Sequence, residues 1–398
     1  MTLLEISNFA SGLGNAVVMI TIPWLVLETT GSPAFAGVVA AVASLPGLVI
    51  APLAGWMIDR FDRRLVSIVA DLFSALSVIA FPLVAWSIGL TSGWIIGLAV
   101  LGATFDPAGY TARRTLLTNA ARASRVNQDK LNGIHEGIFA IGWTLGPLLG
   151  AVLIATVGAI NSFWLPGVLF FIASVAIMFM RITPETGTSE VDGAAEDFGL
   201  KSLGRGFVVL WRDRALRAIT IGVLVLAAVY LPTETIILPT YFEGIAQPAS
   251  LGIVIAALAG GSTIGAFSYG WLSKRMDYYG LLKLILIGTA LTILPMAFLP
   301  PLPILAAAGF LLGLCWGPFN ALMTSLVQQR IPEKEQGRVF GVQLATFYAA
   351  PPLAMLLVGI SVESIGIQVT YAFLAVVLSI TAVLILMSPS VRKLRTKD

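Results

Sequence analysis

The stretch Gly55-Trp56-Met57-Ile58-Asp59-Arg60-Phe61-Asp62-Arg63-Arg64 places five charges within six residues, between two long apolar runs at 33–57 and 65–88. A hydrocarbon core of about 30 Å is crossed by roughly 20 apolar residues in a helix. Each run is therefore long enough to span, and the charged stretch is a turn outside the lipid. Gly55 closes its helix with a face small enough for another helix to come near. Asp59, at the helix end, is positioned to meet the positive N-terminus of a neighbouring helix. Attraction to a membrane surface accounts for Arg60, Arg63 and Arg64. It gives no reason for an acid, so Asp59 with Gly55 is read as a gating element.

Working outward, ten further runs have the same character: 3–27, 92–115, 130–157, 161–181, 215–241, 248–273, 280–299, 302–329, 337–360 and 366–388. The 398-residue chain is 57% hydrophobic and only 11% charged, against about 25% charged in a soluble domain. This is an all-α integral membrane chain with twelve transmembrane helices. Cys315 is the sole cysteine and His135 the sole histidine, so an internal disulfide is excluded and a metal site is not expected. There is no Gly-x-x-x-x-Gly-Lys-Ser/Thr loop for a nucleotide. The first run lacks a basic leader and a cleavage site, and is expected to be retained. A net charge of +3 gives no case for nucleic acid.

Cations fix the orientation. Lys and Arg occur only after the second run (60, 63, 64), between the fourth and fifth (113, 114, 122, 125, 130), between the sixth and seventh (181, 201, 205, 212, 214, 217), and after the eighth (274, 275, 283), tenth (330, 334, 338) and twelfth (392, 393, 395, 397). These are all 24 of them. Both termini are therefore expected on the cytoplasmic side.

The chain divides into a six-helix half at 1–181, a cytoplasmic linker at 182–214, a second six-helix half at 215–390 and a basic tail at 391–398. Residues 184–199 are polar and Gly-rich, a flexible tether. From Leu200 to Trp211 the pattern is amphipathic, with Leu203, Phe207, Leu210 and Trp211 on one side, which suggests a short helix on the membrane surface. The halves echo each other. Gly55-Trp56 through Asp62 has a counterpart in Gly270-Trp271 through Asp277, Pro33 and Gly37 match Pro248 and Gly252, and Gly102 and Pro107 match Gly313 and Pro318. A 6+6 pseudo-twofold bundle places a binding site near the midplane. Small-residue stripes mark close helix contacts: Gly142, Gly146 and Gly150; Ala257, Gly261 and Gly265; Gly47, Ala51 and Gly55; Gly337, Gly341, Ala345 and Ala349. They suggest that the fifth span pairs with the eighth and the second with the eleventh, bringing Asp59 to the start of the eleventh.

The stretch at 55–64 resembles the signature loop of the major facilitator superfamily, Gly-x-x-x-Asp-Arg-x-Gly-Arg-Arg/Lys. Gly55, Asp59, Arg60, Arg63 and Arg64 fit, while Asp62 stands in the Gly position and implies a looser turn. Gly142-Trp-Thr-Leu-Gly146-Pro147-Leu-Leu-Gly150 resembles the fifth-helix signature of proton-coupled exporters, with Ala151 in place of its last Gly. Pro147 also removes a backbone hydrogen bond and bends the helix. More narrowly, the chain is similar to the Tap-like branch of drug exporters at Ile22-Pro-Trp-Leu-Val-Leu27, Val69-Ala-Asp71, Pro107-Ala-Gly, Leu131-Asn-Gly-Ile-His-Glu136, Leu231-Pro-Thr-Glu234 and Gly317-Pro318. That resemblance implies secondary export of tetracycline- or aminoglycoside-type drugs.

Ionisable groups inside spans are costly and are functional candidates by default. Glu234, Asp106 and Glu136 are the candidate proton carriers. Asp106 is equally read as a structural partner of Arg113 or Arg114, and Glu234 equally attracts a cationic drug. Asp71, two turns from Arg64, joins Arg113 and Arg114 in an inner charge network, and His135 is read as making an interfacial hydrogen bond. Asn8, Asn15, Trp24, Phe105, Tyr230, Tyr241, Trp316, Phe319 and Asn320 are candidate cavity walls.

The expected function is export of amphipathic, including cationic, drugs by proton antiport and alternating access. The setting is the bacterial cytoplasmic (inner) membrane, the coupling ion is the proton, no cofactor is needed, and the protein is a monomer. The rivals are a proton-coupled or facilitative uptake permease and a non-transporting membrane sensor or assembly factor. No nucleophile–base constellation points to an enzyme.

Overall fold

The structure is a computed structural model that describes residues 1–124, 128–180 and 207–395. Twelve long helical segments follow in order among these residues. They are α1 (Thr2–Thr30), α2 (Pro33–Arg60), α3 (Arg63–Ser87), α4 (Ser92–Ser124), α5 (Gln128–Val157), α6 (Ala159–Met178), α7 (Arg214–Gly244), α8 (Pro248–Arg275), α9 (Tyr278–Met296), α10 (Leu302–Arg330), α11 (Glu333–Ile365) and α12 (Ile367–Met387). Ten are long and apolar enough to cross a membrane, and the described apolar parts of α2 and α11 are Pro33–Gly47 and Pro351–Ile365. The segments coincide with the twelve apolar runs. Residues 207–212 form one further helical stretch, with Phe207 and Trp211 stacked and exposed. The start of the amphipathic segment and the tether at 184–199 lie outside the described residues.

Helix ends are set by local chemistry. Gly31, at φ 63°, ends α1 and returns its N–H to Leu27 O. Ser32 then caps α2, its Oγ accepting from Phe35 N–H, with Pro33 pre-shaped for the first turn. Between α2 and α3 lie only Phe61 and Asp62. Asp62 is the N-cap of α3 and accepts from Arg64 N–H at 3.0 Å. An acid that caps α3 thus stands where the signature has glycine. Arg64 closes the end of another helix. Its Nε and Nη2 donate to the carbonyls of Ile177 and Met178, the final carbonyls of α6, where a cation is favoured. The end of the bundle carrying Arg60, Arg63 and Arg64 is called the basic end below.

Two compact units form. The first contains Met1–Thr183 with Pro232–Ala256 and Pro352–Ile367; the second contains Pro184–Leu231, Ala257–Pro351 and Gln368–Asp398. In the first, the glycine stripe of α5 packs on α1. A Cβ at Gly146 would lie 2.3 Å from Ala16 Cβ, one at Gly142 would lie 3.2 Å from Leu13 N, and one at Gly150 would lie 3.3 Å from Val17 O. The stripe thus serves a neighbour in its own half rather than α8. Helices α5 and α8 do meet, but at Gly252, against Ala151 and the Pro147 carbonyl. Likewise α2 meets α11 at Gly37 and Gly359, far from the expected stripe. The side chains of Ala51, Asp59, Ala345 and Ala349, with Gly55, Gly337 and Gly341, lie outside those described.

In the second unit, Gly261 and Gly265 of α8 nest against Phe310 and Leu314 of α10, while Gly313 and Gly317 of α10 nest against Leu258, Ser262 and Ala266 of α8. Each helix supplies both glycine and backbone, the geometry of close membrane packing. Pro318 divides α10 into Leu302–Trp316 and Phe319–Arg330, whereas its sequence counterpart Pro107 sits inside an unbroken α4. The core of this unit gathers Leu216, Leu281, Ile285, Leu322, Leu326 and Val391.

Candidate transport site

Three helices of the first unit bring polar side chains together in its interior. On α4, Asp106 and Arg113 are two turns apart and share a face. Between them Gly109 leaves space: a Cβ there would lie 2.9 Å from Ala70 Cβ and 3.6 Å from Arg113 Nη1. The Arg113 guanidinium thus passes beneath α3, where Nη1 donates to both oxygens of Asp71 at 2.8 Å. Nη2 donates to Ser11 Oγ of α1 at 2.8 Å. One turn along α1, Asn15 Nδ2 donates to Asp106 Oδ1 at 2.7 Å.

Burial decides what this network is. The side chains of Arg113 and Asp71 are 3% and 4% exposed, so either charge alone would be expensive in the interior. Paired, they cancel. Asp106 is then the surplus carboxylate of the cluster, and unlike Asp71 it is partly exposed. A carboxylate inside a span is costly against hydrocarbon, which makes Asp106 the functional candidate of the cluster. Of the two readings held open for Asp106, direct pairing with Arg113 is not the arrangement found. Asp71 belongs to this cluster and not with Arg64.

A second buried pair lies nearer the basic end. His135 Nδ1 of α5 is 3.2 Å from both Glu5 oxygens of α1, and Asn8 Nδ2 donates to the His135 carbonyl at 2.9 Å. Leu4, Leu116, Leu117, Leu131 and Ile177 form an apolar cluster from the same helices and their neighbours. His135 is buried and hydrogen-bonded to Glu5, and Asn8 is inside the packing of α1 on α5 instead of on a cavity wall. Glu5 and Ser11 were missed in the sequence. Glu5, Asn8, Ser11 and Asn15 recur every three or four residues, so a polar stripe on α1 was the signal.

Glu136 differs from its expected setting. It pairs with Arg114 at 2.5 Å, with both side chains about half exposed. Arg114 also lies over the Tyr110 ring, which begins an aromatic series with Phe139 and Trp143. Glu136 is therefore a half-exposed partner of Arg114 and not an isolated acid.

Glu234 is buried within a π turn, Thr233–Ile237, that packs on α1 and α2. The cause is readable: Pro239 has no N–H to continue the ladder, and Leu238 N–H returns five residues to Thr233 O. Such turns are frequent at functional positions.

In the second unit, Tyr230 stacks on Trp316, and Trp316 lies parallel to Phe319 with centroids 4.9 Å apart. Asn320 and Thr324, one turn apart, are exposed on α10 just past the break. The remaining wall candidates separate. Trp24 is 5% exposed, Phe105 stacks on Phe73 of α3, and Tyr241 packs edge-on to Phe242. Trp24 and Phe105 are thus packing residues.

The family model described as Major Facilitator Superfamily matches residues 4–348 and, separately, 235–398. The chain is 34% identical over 396 residues to the multidrug efflux pump Tap of Mycobacterium tuberculosis (strain ATCC 25618 / H37Rv), spanning 98% of this chain and 94% of that protein. It is 34% identical over 399 residues to the Tap pump of Mycolicibacterium fortuitum, spanning 99% and 97%. To macrolide efflux protein A of Streptococcus pyogenes it is 24% identical over 392 residues, spanning 96% and 94%. In fold it is similar to the crystal structure of the nucleoside transporter NupG, with a TM-score of 0.80 at 13% identity over 97% of this chain and 99% of that one.

Proposed function

The chain belongs to the major facilitator superfamily and is a membrane transport protein rather than an enzyme; from that premise we propose that it exports amphipathic drugs in exchange for protons. Efflux relatives at 34% identity over almost the whole chain support the drug-export half of this reading. The proton half rests on one observation: Arg113 is paired with Asp71 and Ser11, which leaves the nearby Asp106, held by Asn15, as a carboxylate without a cation of its own in the cluster. The surplus acid is the coupling group. When Asp106 is ionised it holds Asn15 and favours a cationic or dipolar drug beside it. When it takes a proton, the cluster becomes neutral, the drug loses its counter-charge, and the carrier returns. Glu234, at the π turn against α1 and α2, is the second proton-binding group on this pathway. The Tyr230–Trp316–Phe319 stack, with Asn320 and Thr324, offers aromatic faces and hydrogen bonds to a flat drug. The tetracycline and aminoglycoside classes are the first to try.

The basic end faces the cytoplasm of a bacterial inner membrane, with both termini inside. The protein works as a monomer without a cofactor, by alternating access between its six-helix halves, with the loop at 55–64 gating one state. The test is drug accumulation in cells carrying the wild type, Asp106→Asn or Glu234→Gln, with and without a protonophore. Proton-driven export predicts low accumulation in the wild type only, abolished by the protonophore. Undiminished export by Asp106→Asn would overturn the role of the surplus acid. No effect of the wild type across a broad drug panel would overturn export itself.

A further inference from the structure

We infer that Glu363 is a latch that holds α2 to α11 at the end opposite the basic end, and that transport must release it. This rests on the reading that the chain alternates between two open states.

The first helical residues of α2 have backbone N–H groups with no partner inside the helix. Ser32 satisfies one of them, since its Oγ accepts from Phe35 N–H at 3.1 Å. The next is satisfied from another helix: Ala34 N–H donates to Glu363 Oε2 at 3.0 Å. The same oxygen accepts the Ser32 hydroxyl. One carboxylate of α11 thus completes the N-terminal cap of α2 and stands against the positive end of its dipole. Sequence gives no hint of this, because the partners are more than 300 residues apart.

One turn deeper the two helices touch backbone to backbone. A Cβ on Gly359 would lie 2.6 Å from Pro33 O and 3.1 Å from Gly37 Cα, and one on Gly37 would lie 2.6 Å from Met355 O. This contact closes only if both positions are glycine. The seam therefore has a tight joint at Gly37 and Gly359 and a polar tie above it. When α2 and α11 separate, the joint simply opens, but Ala34 N–H and the Ser32 hydroxyl must exchange Glu363 for water. The tie is exposed, so water can compete for it. That makes it a reversible fastener whose strength sets how often this end opens.

The test uses a charged methanethiosulfonate reagent on detergent-purified full-length protein. Cys315→Ser removes the native thiol, and Met355→Cys places one beneath the seam, where Met355 is buried. A latch predicts that Glu363→Ala raises the labelling rate at least about threefold, the modest change expected for loss of a solvent-exposed charged tie. Gly359→Ala, which pries the joint apart sterically, should do the same by a different route. A rate for Glu363→Ala within experimental error of the parent overturns the proposal. Should the introduced thiol itself loosen the seam, hydrogen exchange of the otherwise native chain decides the same question: Glu363→Ala must speed exchange at residues 34–37 and leave α12 unchanged. Neither readout needs a drug or a gradient, so failure of the antiport reading would not mimic failure of the latch.

Discussion

Asn15 of α1 donates its side-chain N–H to Asp106 of α4 at 2.7 Å, joining two helices whose partnership no local pattern reveals. If this bond orients the coupling carboxylate, Asn15→Ala and Asp106→Asn disturb the same event. Each single change should lower protonophore-sensitive drug efflux, and the double change should be no worse than Asp106→Asn alone. Additive losses in a transport assay would mean the two residues act separately.

Arg113 and Asp71 hold each other in a site from which water is excluded. Arg113→Leu strands Asp71 and should cost about 3–5 kcal/mol. Thermal unfolding in detergent reads this as a large drop in midpoint. Adding Asp71→Leu removes the stranded charge and should restore most of the loss. If the double variant is as unstable as the single, the pair is not the source of the cost.

The three glycines of α5 should not be equivalent. An added methyl at Gly146 meets Ala16 Cβ at 2.3 Å, while methyls at Gly142 and Gly150 meet their nearest atoms at 3.2 and 3.3 Å. Gly146→Ala should therefore destabilise most, by about 1–3 kcal/mol, as overpacking does. The midpoint order should be Gly146→Ala below both of the others.

Asp213 gives a prediction in pH. It caps α7, accepting from Ala215 and Leu216 N–H, and pairs with Arg330 Nε at 2.8 Å. Burial pushes its carboxyl up, but the Leu216 N–H, the Arg330 guanidinium and the Ala215 N–H outweigh that and hold it below its ordinary value. A lowered carboxyl contributes stability that is fully present above the unfolded value, about 3.9, and is lost as pH falls through the folded one. Asp213→Asn keeps a capping oxygen but loses the charge facing Arg330, so it should cost about 0.5–1 kcal/mol near neutrality, and the gap from wild type should close as pH falls below roughly 4. Unfolding midpoints of both proteins across that range check it.

The spans were legible because the bilayer imposes a length on every helix, and nothing shorter than the runs at 3–27 through 366–388 satisfies it. The surplus acid was legible for a related reason: an ionisable residue deep in a span is conspicuous against hydrocarbon. Partnerships were much less so. The stripe at Gly142, Gly146 and Gly150 announces a close neighbour without naming it, and α1 took the place that α8 was expected to fill. Arg113 had Asp106 two turns away on its own helix yet found Asp71 on another. Nothing beside Glu5 in the chain marks it as the partner of His135, 130 residues away. In each case the deciding information is which helices are adjacent, and that is a property of the packed bundle. The π turn at Glu234 was half visible, since Pro232 and Pro239 bracket it.

The Arg113–Asp71 pair also bears on how the protein is made. A lone Arg or Asp at the centre of a helix costs about 2.5–3.5 kcal/mol to pass into the bilayer. Helices α3 and α4 are consecutive, separated by residues 88–91, so the acid leaves the ribosome just ahead of the base. Entering as a hairpin, they carry a neutral pair into the membrane, where either alone would carry a naked charge. Biogenesis of this half therefore favours insertion of α3 with α4, and a variant lacking one partner should be caught by membrane quality control before it ever meets a drug.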